Sequence, residues 1–168
     1  AVERTGCAFT LGEQSRYQPS TRAMKKIVDE GRVGKVLFVE GQYLHGVTEE
    51  RFWMDPVTGR KLTLDEAEDH PNPRKSRFWF LRHPIFYLPH ELSPILHILE
   101  DRVVRVTCMA TRNPSYVYDE FPMSDVELAL MHTEKDTILR LAAGFTVPTV
   151  MPNHWYHIFG TQGRLETR

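Results

Sequence analysis

Of the eight histidines in the 168-residue sequence, His90 has the setting that most invites chemistry. It follows Tyr87, Leu88 and Pro89 at the entry to a helix-like segment, where a side chain can point into a cleft. A neutral imidazole there has the proton affinity of a general base near neutral pH. The same position also suits a histidine hydrogen-bonded within the structure, and local sequence leaves both readings open. His97 raises the question of a metal pair with His90. Seven residues span about 10.5 Å along a helix, too far for one zinc ion. The run His90-Glu91-Leu92-Ser93-Pro94 also lacks the second histidine of H-E-x-x-H. No metal site is expected, and His97 reads as packing on the helix face with Leu92 and Leu96.

Other motifs are missing from the sequence. It contains no G-x-G-x-x-G fingerprint, no Walker loop and no G-x-S-x-G elbow. Gly31-Arg32-Val33-Gly34 matches a nucleic-acid clamp loop only as a string, because a strand rather than a helix follows it. The net charge of −1 gives no global attraction to nucleic acid or an anionic membrane. No apolar run approaches the roughly 18–20 residues that cross a bilayer. The first residues lack a basic start followed by an apolar stretch, so a cytoplasmic location is expected. Cys7 and Cys108 each fall in a strand-like apolar segment and are expected as reduced core thiols.

The elements that must position His90 follow from periodicity. Hydrophobic residues at 41% and charged residues at 26% suit one folded domain spanning 1–168. Residues 7–15 read as a short strand. A helix should start with Ser20 or Thr21 as N-cap, carry Ala23, Ile27 and Val28 on one stripe, and end at Gly31 and Gly34. Residues 35–45 form the clearest strand, with Leu37, Val39, Gly41, Tyr43 and His45 on one face. Residues 46–83 hold aromatics and prolines without sustained periodicity, a long irregular insertion of the kind that serves as a lid, binding loop or oligomer arm. Within it, Thr63 and Glu66 make a capping box.

Residues 86–99 read as helical. Either Pro94 bends that helix, or the helix starts at Ser93 with Pro94 in first position and His90 in the turn before it. Strands then follow: Val104, Val106, Cys108 and Ala110 alternate, as do Val126, Leu128 and Leu130. Leu139, Leu141, Ala143, Phe145 and Val147 form a third alternation, opposite Ile138, Arg140 and Thr146 on a mixed second side. Glu134, Lys135 and Asp136 make a hairpin tip, and segments 154–159 and 164–167 complete the run. The fold class is α+β: an open, mostly antiparallel sheet with helices on one face. The start at Ala1 and the stop after a strand-like segment suggest a piece of a larger protein.

The order of motifs resembles a known family. Arg16-Tyr17-Gln18-Pro19 and the helix ending Asp29-Glu30-Gly31-Arg32-Val33-Gly34-Lys35-Val36 resemble the start of the second domain of the glucose–fructose oxidoreductase, inositol dehydrogenase and rhizopine-catabolism (Gfo/Idh/MocA) proteins. Leu88-Pro89-His90-Glu91-Leu92 resembles their active-site histidine segment, and Ile158-Phe159-Gly160-Thr161-Gln162-Gly163-Arg164-Leu165-Glu166 resembles their final turn. The resemblance implies an enzyme that uses NAD or NADP, with an N-terminal Rossmann domain absent from this chain. This chain alone is then expected to bind no dinucleotide. It would supply the substrate contacts, with a sugar or polyol as substrate, and a homo-oligomer contact through its open sheet face. His90 takes the catalytic histidine's place. Phe86 stands where the family commonly has an aspartate, which leaves a non-catalytic ligand-binding or oligomerisation module as the other reading. Tyr17, Tyr43, His45, Trp79, Arg82, Trp155 and His157 are the expected substrate-wall residues, because aromatic faces and Arg forks suit sugars.

Overall fold

The computed structural model describes residues 2–10, 12–46, 53–75, 83–117, 122–148 and 154–167. A single turn of helix, α1 (Val2–Thr5), leads into extended chain and a 3-10 turn at Ser15–Tyr17. Residues 7–15 are therefore not a strand. Their residues are largely exposed, with Phe9 76% exposed and Cys7 exposed.

The next helix, α2 (Pro19–Asp29), starts earlier than expected, with Gln18 as N-cap and Pro19 in first position. Proline suits that place because its missing N–H would be unpaired there in any residue. Thr21 is inside the helix, not at its cap, and its buried hydroxyl donates to the Ser15 carbonyl at 2.9 Å. The chain leaves α2 through Gly31 and Gly34, both at positive φ. A side chain at Gly34 would collide with Thr161, so this turn and the turn near the chain's end fit only without one.

Strand β1 (Val36–Leu44) follows, with a register shift between Val36 and Phe38. The shift overturns the expected placing of Leu37 with Val39: Leu37 is half exposed, whereas Val36 and Val39 are buried. In the insertion, β2 (Trp53–Met54), β3 (Lys61–Leu62) and, further on, β4 (Arg74–Lys75) form a small three-stranded sheet. Two-residue strands are too short to produce a visible alternation. Between β3 and β4 lies α3 (Leu64–Asp69), capped by Thr63 and Glu66 as expected.

A second 3-10 turn (Pro84–Tyr87) runs into α4 (Pro89–Leu99). The helix continues through Pro94, so His90 sits in its first turn, not in a loop before Ser93. Proline at 94 has no N–H for the carbonyl four residues earlier, which belongs to His90. That carbonyl instead accepts from the Tyr156 hydroxyl at 3.2 Å.

The remaining strands are β5 (Val103–Ala110), β6 (Val126–Thr133), β7 (Ile138–Gly144), β8 (His154–Gly160) and β9 (Arg164–Glu166). With β1 they form one sheet in the order β5-β6-β7-β1-β8-β9, antiparallel except where β1 runs parallel to β7. Helix α4 packs on β1 and β8, and α2 packs on α4. Ile95 and Ile98 of α4 meet a buried layer of Val39, Leu139, Leu141 and Ile158. Gly41 lies under α4, where a Cβ would come within 3.3 Å of Ile95.

The helices do not reach β5. Val106 and Cys108 pair with the inward-facing Met131 and Ala129, so the expected alternation has the core side. Yet Val106 is 52% exposed and Cys108 is exposed, so Cys108 is free but not a core thiol. Thr146 also departs from expectation. It is buried, and its hydroxyl donates to Asp125 rather than lying on the outer side.

The Pro94–Tyr156 relation gives a test by double-mutant cycle. Tyr156→Phe should cost about 1–2 kcal/mol in urea unfolding, because it orphans the His90 carbonyl. Pro94→Ala restores a helical N–H to that carbonyl, so Tyr156→Phe should cost clearly less in that background. Additive effects would show that the hydroxyl does not replace the missing helical bond.

Candidate functional site

Tyr43 points from the inner face of β1 into a cluster of rings. Its ring centroid lies 5.3 Å from that of His90, 5.0 Å from His154, 4.4 Å from His45 and 5.8 Å from Tyr87. Phe145 closes the base of the cluster, edge-on to Tyr87 at 4.8 Å. Five separate parts of the chain converge here, one of them the residue after β7 that brings Phe145. β1 brings Tyr43 and His45, the second 3-10 turn brings Tyr87, α4 brings His90, and β8 brings His154.

The 3-10 turn that carries Tyr87 is tied to the sheet by Glu127, a buried carboxylate on the inner face of β6. It takes the Ile85 N–H at 2.7 Å and faces His83 Nδ1 at 2.7 Å. Three hydrogen-bonding groups, the third being Ser124, explain how a carboxylate is tolerated there.

Two imidazoles in the cluster each face a carboxylate through Nδ1. His90 Nδ1 lies 2.7 Å from Glu13 Oε2, close enough for an ion pair though not aligned as a hydrogen bond. His154 Nδ1 lies 2.6 Å from Glu91 Oε1. An ionised carboxylate only accepts, so beside one a neutral ring favours its proton on Nδ1, which leaves Nε2 as the acceptor. Both histidines remain about one-quarter exposed. This is the arrangement of a general base held by a carboxylate.

Glu91 has no exposed surface. Burial raises its carboxyl from the ordinary range to about 7, with His154 offsetting part of that rise. Burial also raises the Tyr156 hydroxyl, helped by the nearby Glu91 charge. Tyr43 is raised by burial, then by Tyr87, Glu91 and Glu13. Among the described residues, no group of three or more His, Cys, Asp or Glu could hold a metal ion.

Of the substrate-wall residues expected from sequence, Tyr43 and His45 come together with His90. Tyr17 does not: it is 68% exposed in the first 3-10 turn. Trp155 and His157 lie on the opposite face of the sheet, because side chains alternate along β8 and the inner positions are His154, Tyr156 and Ile158. There Trp155 donates to Glu166 and His157 lies against Phe159. Trp79 and Arg82 lie outside the described residues.

His154, Glu91, Glu13 and Tyr87 were missed. The apolar pair Tyr156 and Ile158 fixes which side of β8 is buried, and counting back two residues from Tyr156 reaches His154. Glu13 left no local signal, since its meeting with His90 is made by the tertiary fold. A separate cleft of about 470 Å³ lies outside α4, lined by Arg16, Pro89, Leu92, Leu96 and His97. His97 lies there with Leu92 and Leu96 and faces Arg16 at 3.2 Å, away from the ring cluster.

The raised Glu91 predicts a pH dependence of stability. Between its unfolded value near 4.5 and its folded value of about 7, the folded chain binds more protons than the unfolded one. Stability should therefore fall as pH rises through that window and level off above it. Urea unfolding at pH 5 and pH 8 should show wild type losing on the order of 1–3 kcal/mol relative to Glu91→Gln. Parallel behaviour of the two proteins would mean that Glu91 keeps one charge state throughout.

No protein-family profile matches the chain, and no curated protein matches it. Solved structures do. One is a scyllo-inositol dehydrogenase from Lactobacillus casei, 19% identical, with a TM-score of 0.65 over 98% of this chain and 42% of that one. A myo-inositol dehydrogenase from Lactobacillus casei in complex with NAD(H) and myo-inositol is 16% identical, with a TM-score of 0.65 over 95% of this chain and 39% of its own. An oxidoreductase from Agrobacterium radiobacter in complex with NAD+, L-tartaric acid and magnesium is 17% identical, with a TM-score of 0.62 over 98% and 42%. The chain thus spans about two-fifths of the length of each. Its α+β layer, with helices on one side of an open, mostly antiparallel sheet, has the fold of the C-terminal domain of these inositol-dehydrogenase-like oxidoreductases.

Proposed function

We propose that this chain is the substrate-side domain of an NAD- or NADP-dependent oxidoreductase acting on a sugar, polyol or related hydroxy compound. The reading rests above all on His90, an imidazole partnered at Nδ1 by Glu13 and set among Tyr43, Tyr87 and His154. It stands on a fold whose solved relatives include proteins bound to NAD(H) and an inositol.

Among the described residues there is no glycine-rich strand–turn–helix cradle of the Rossmann kind. In this reading the cofactor belongs to a Rossmann domain elsewhere in the whole protein. The task of this chain is then narrower: to orient a hydroxyl and accept its proton at His90 Nε2 while the carbinol carbon is oxidised. Tyrosine and imidazole edges provide the mixed apolar and hydrogen-bonding wall that a polyol needs.

A non-catalytic ligand-binding or oligomerisation module is the second reading, favoured by Phe86. That ring is 65% exposed and offers no carboxylate. Glu13 answers part of the objection, since it brings a carboxylate to His90 from another segment.

The reading extends to a cytoplasmic homo-oligomer. Among the described residues, no helix is long and apolar enough to cross a membrane. The open face carries Leu130 and Ile138, partly exposed, beside stacked Phe38 and Phe159, with an Arg140–Glu40 ion pair between them. An apolar patch around a neutralised ion pair suits contact with a second copy.

In the whole protein, His90→Ala should lower kcat for polyol oxidation by about 10²–10⁴-fold. Cofactor affinity by calorimetry should stay unchanged, because His90 touches no cofactor in this reading. Turnover that survives the substitution would remove His90 from the chemistry. For the oligomer, light scattering should show assembly in wild type and a monomer in Leu130→Arg; a wild-type monomer at high concentration would dismiss that contact.

A further inference from the structure

His154 is the one imidazole of the cluster tied to a fully buried carboxylate. Its ring centroid is 6.2 Å from that of His90, with the two planes at 89°, and Tyr43 packs against both. The backbone fixes both rings: His90 by the first turn of α4, His154 by its pairing with Tyr43 across β1 and β8. Glu91 follows His90 directly on α4 yet reaches across to His154, so one helical turn sets both histidines. In each ring Nδ1 faces a carboxylate, and no protein group holds Nε2 among the contacts of the described residues. The charged and titratable groups around the two rings are Glu13, Glu91, Tyr43, His45, Tyr87 and Tyr156.

We infer that His154, held by Glu91, is a second ligand-facing imidazole, and that the site takes two neighbouring hydroxyls of one ligand, one on each Nε2. The inference deepens the polyol reading above and rests on it. A lone hydroxyl needs one base. A ring-centroid separation of 6.2 Å is compatible with each Nε2 meeting a different oxygen of one diol through a hydrogen bond of about 2.8 Å. With the ring neutral, each carboxylate–imidazole pair carries a charge of −1 when its carboxylate is ionised and none when it is protonated. The site therefore lacks the surplus positive charge that would favour a phosphate or a sugar acid over a neutral polyol. Glu91 is a positioning residue: it contacts no ligand and acts through His154.

The test is side-chain nitrogen NMR of the whole protein, with myo-inositol and cyclohexanol as probes. Myo-inositol should shift the Nε2 signals of both His90 and His154 over one common binding curve, and cyclohexanol should shift no more than one of them. His154→Phe keeps a ring against Tyr43 but removes the nitrogens, and should weaken myo-inositol binding about tenfold, the loss of one hydrogen bond to an otherwise dry group. Glu91→Leu should unlock the Nδ1–H tautomer of His154 while leaving that of His90 as it was, a change that mere loss of packing would not confine to one ring. If myo-inositol shifts His90 alone, or His154→Phe binds as wild type does, the second imidazole is overturned and the polyol site at His90 stands. If neither ring responds to myo-inositol, both the inference and the polyol reading fall.

Discussion

The first turn of α4 is held by a hydrogen bond that a helix does not ordinarily need. Pro94 deprives the His90 carbonyl of its helical partner, and the Tyr156 hydroxyl on β8 takes the vacant place. This ties the helix to the sheet at the residue whose side chain carries the proposed chemistry. The next residue, Glu91, reaches the same strand through His154. Deeper in the helix, Ile95 and Ile98 complete the seating on the sheet, over a glycine that leaves room for them. The positions of His90, Glu91 and their partners thus follow from one packed joint between α4 and β8.

Much of this joint was legible in the sequence. The strand through Tyr43, the helix around His90 and the strands from 138 onward announce themselves by alternation or helical spacing. The Gly31–Gly34 exit and the Thr63–Glu66 cap are local signals with local causes, and both stand. Legibility failed where the deciding partner is distant. Nothing in residues 7–15 says that they will stay unpaired, or that Glu13 will meet a histidine seventy-seven positions on. The bulge at Leu37 is set by pairing with β8, not by β1 itself. On β8, Trp155 and His157 drew attention as large polar aromatics, but the sheet's two-residue period sends them to the other side.

The two faces of the sheet differ in character. The inner side collects carboxylates and imidazoles around the start of α4 and the turn before it, and each of three carboxylates there faces an imidazole. Glu127, Glu91 and Glu13 all obey the same rule: a carboxylate removed from water keeps a partner that offsets its lost solvation. The outer face carries aromatic and aliphatic side chains together with His157 and the Arg140–Glu40 and His132–Asp136 pairs. A one-residue slip in any strand would exchange its two sets of side chains. The register of the sheet therefore holds the ring cluster together as firmly as any contact within it.

The parallel pairing of β1 with β7 joins Phe38 to Ile138, and on its other side β1 pairs Gly41 with Tyr156. The central strand thus finds both neighbours about a hundred residues away, while the hairpins β5–β6–β7 and β8–β9 close locally. Closing so long a loop costs entropy before any contact repays it, so such topologies fold slowly for their size. Loop entropy grows only logarithmically, by roughly 0.6 kcal/mol per doubling of length. The segment between β1 and the second 3-10 turn therefore lies inside a loop whose closure is already bought, and it can lengthen or shorten with little effect on the rest of the sheet. In evolutionary terms, that makes it a part of the chain able to change size while the joint beneath α4 stays fixed.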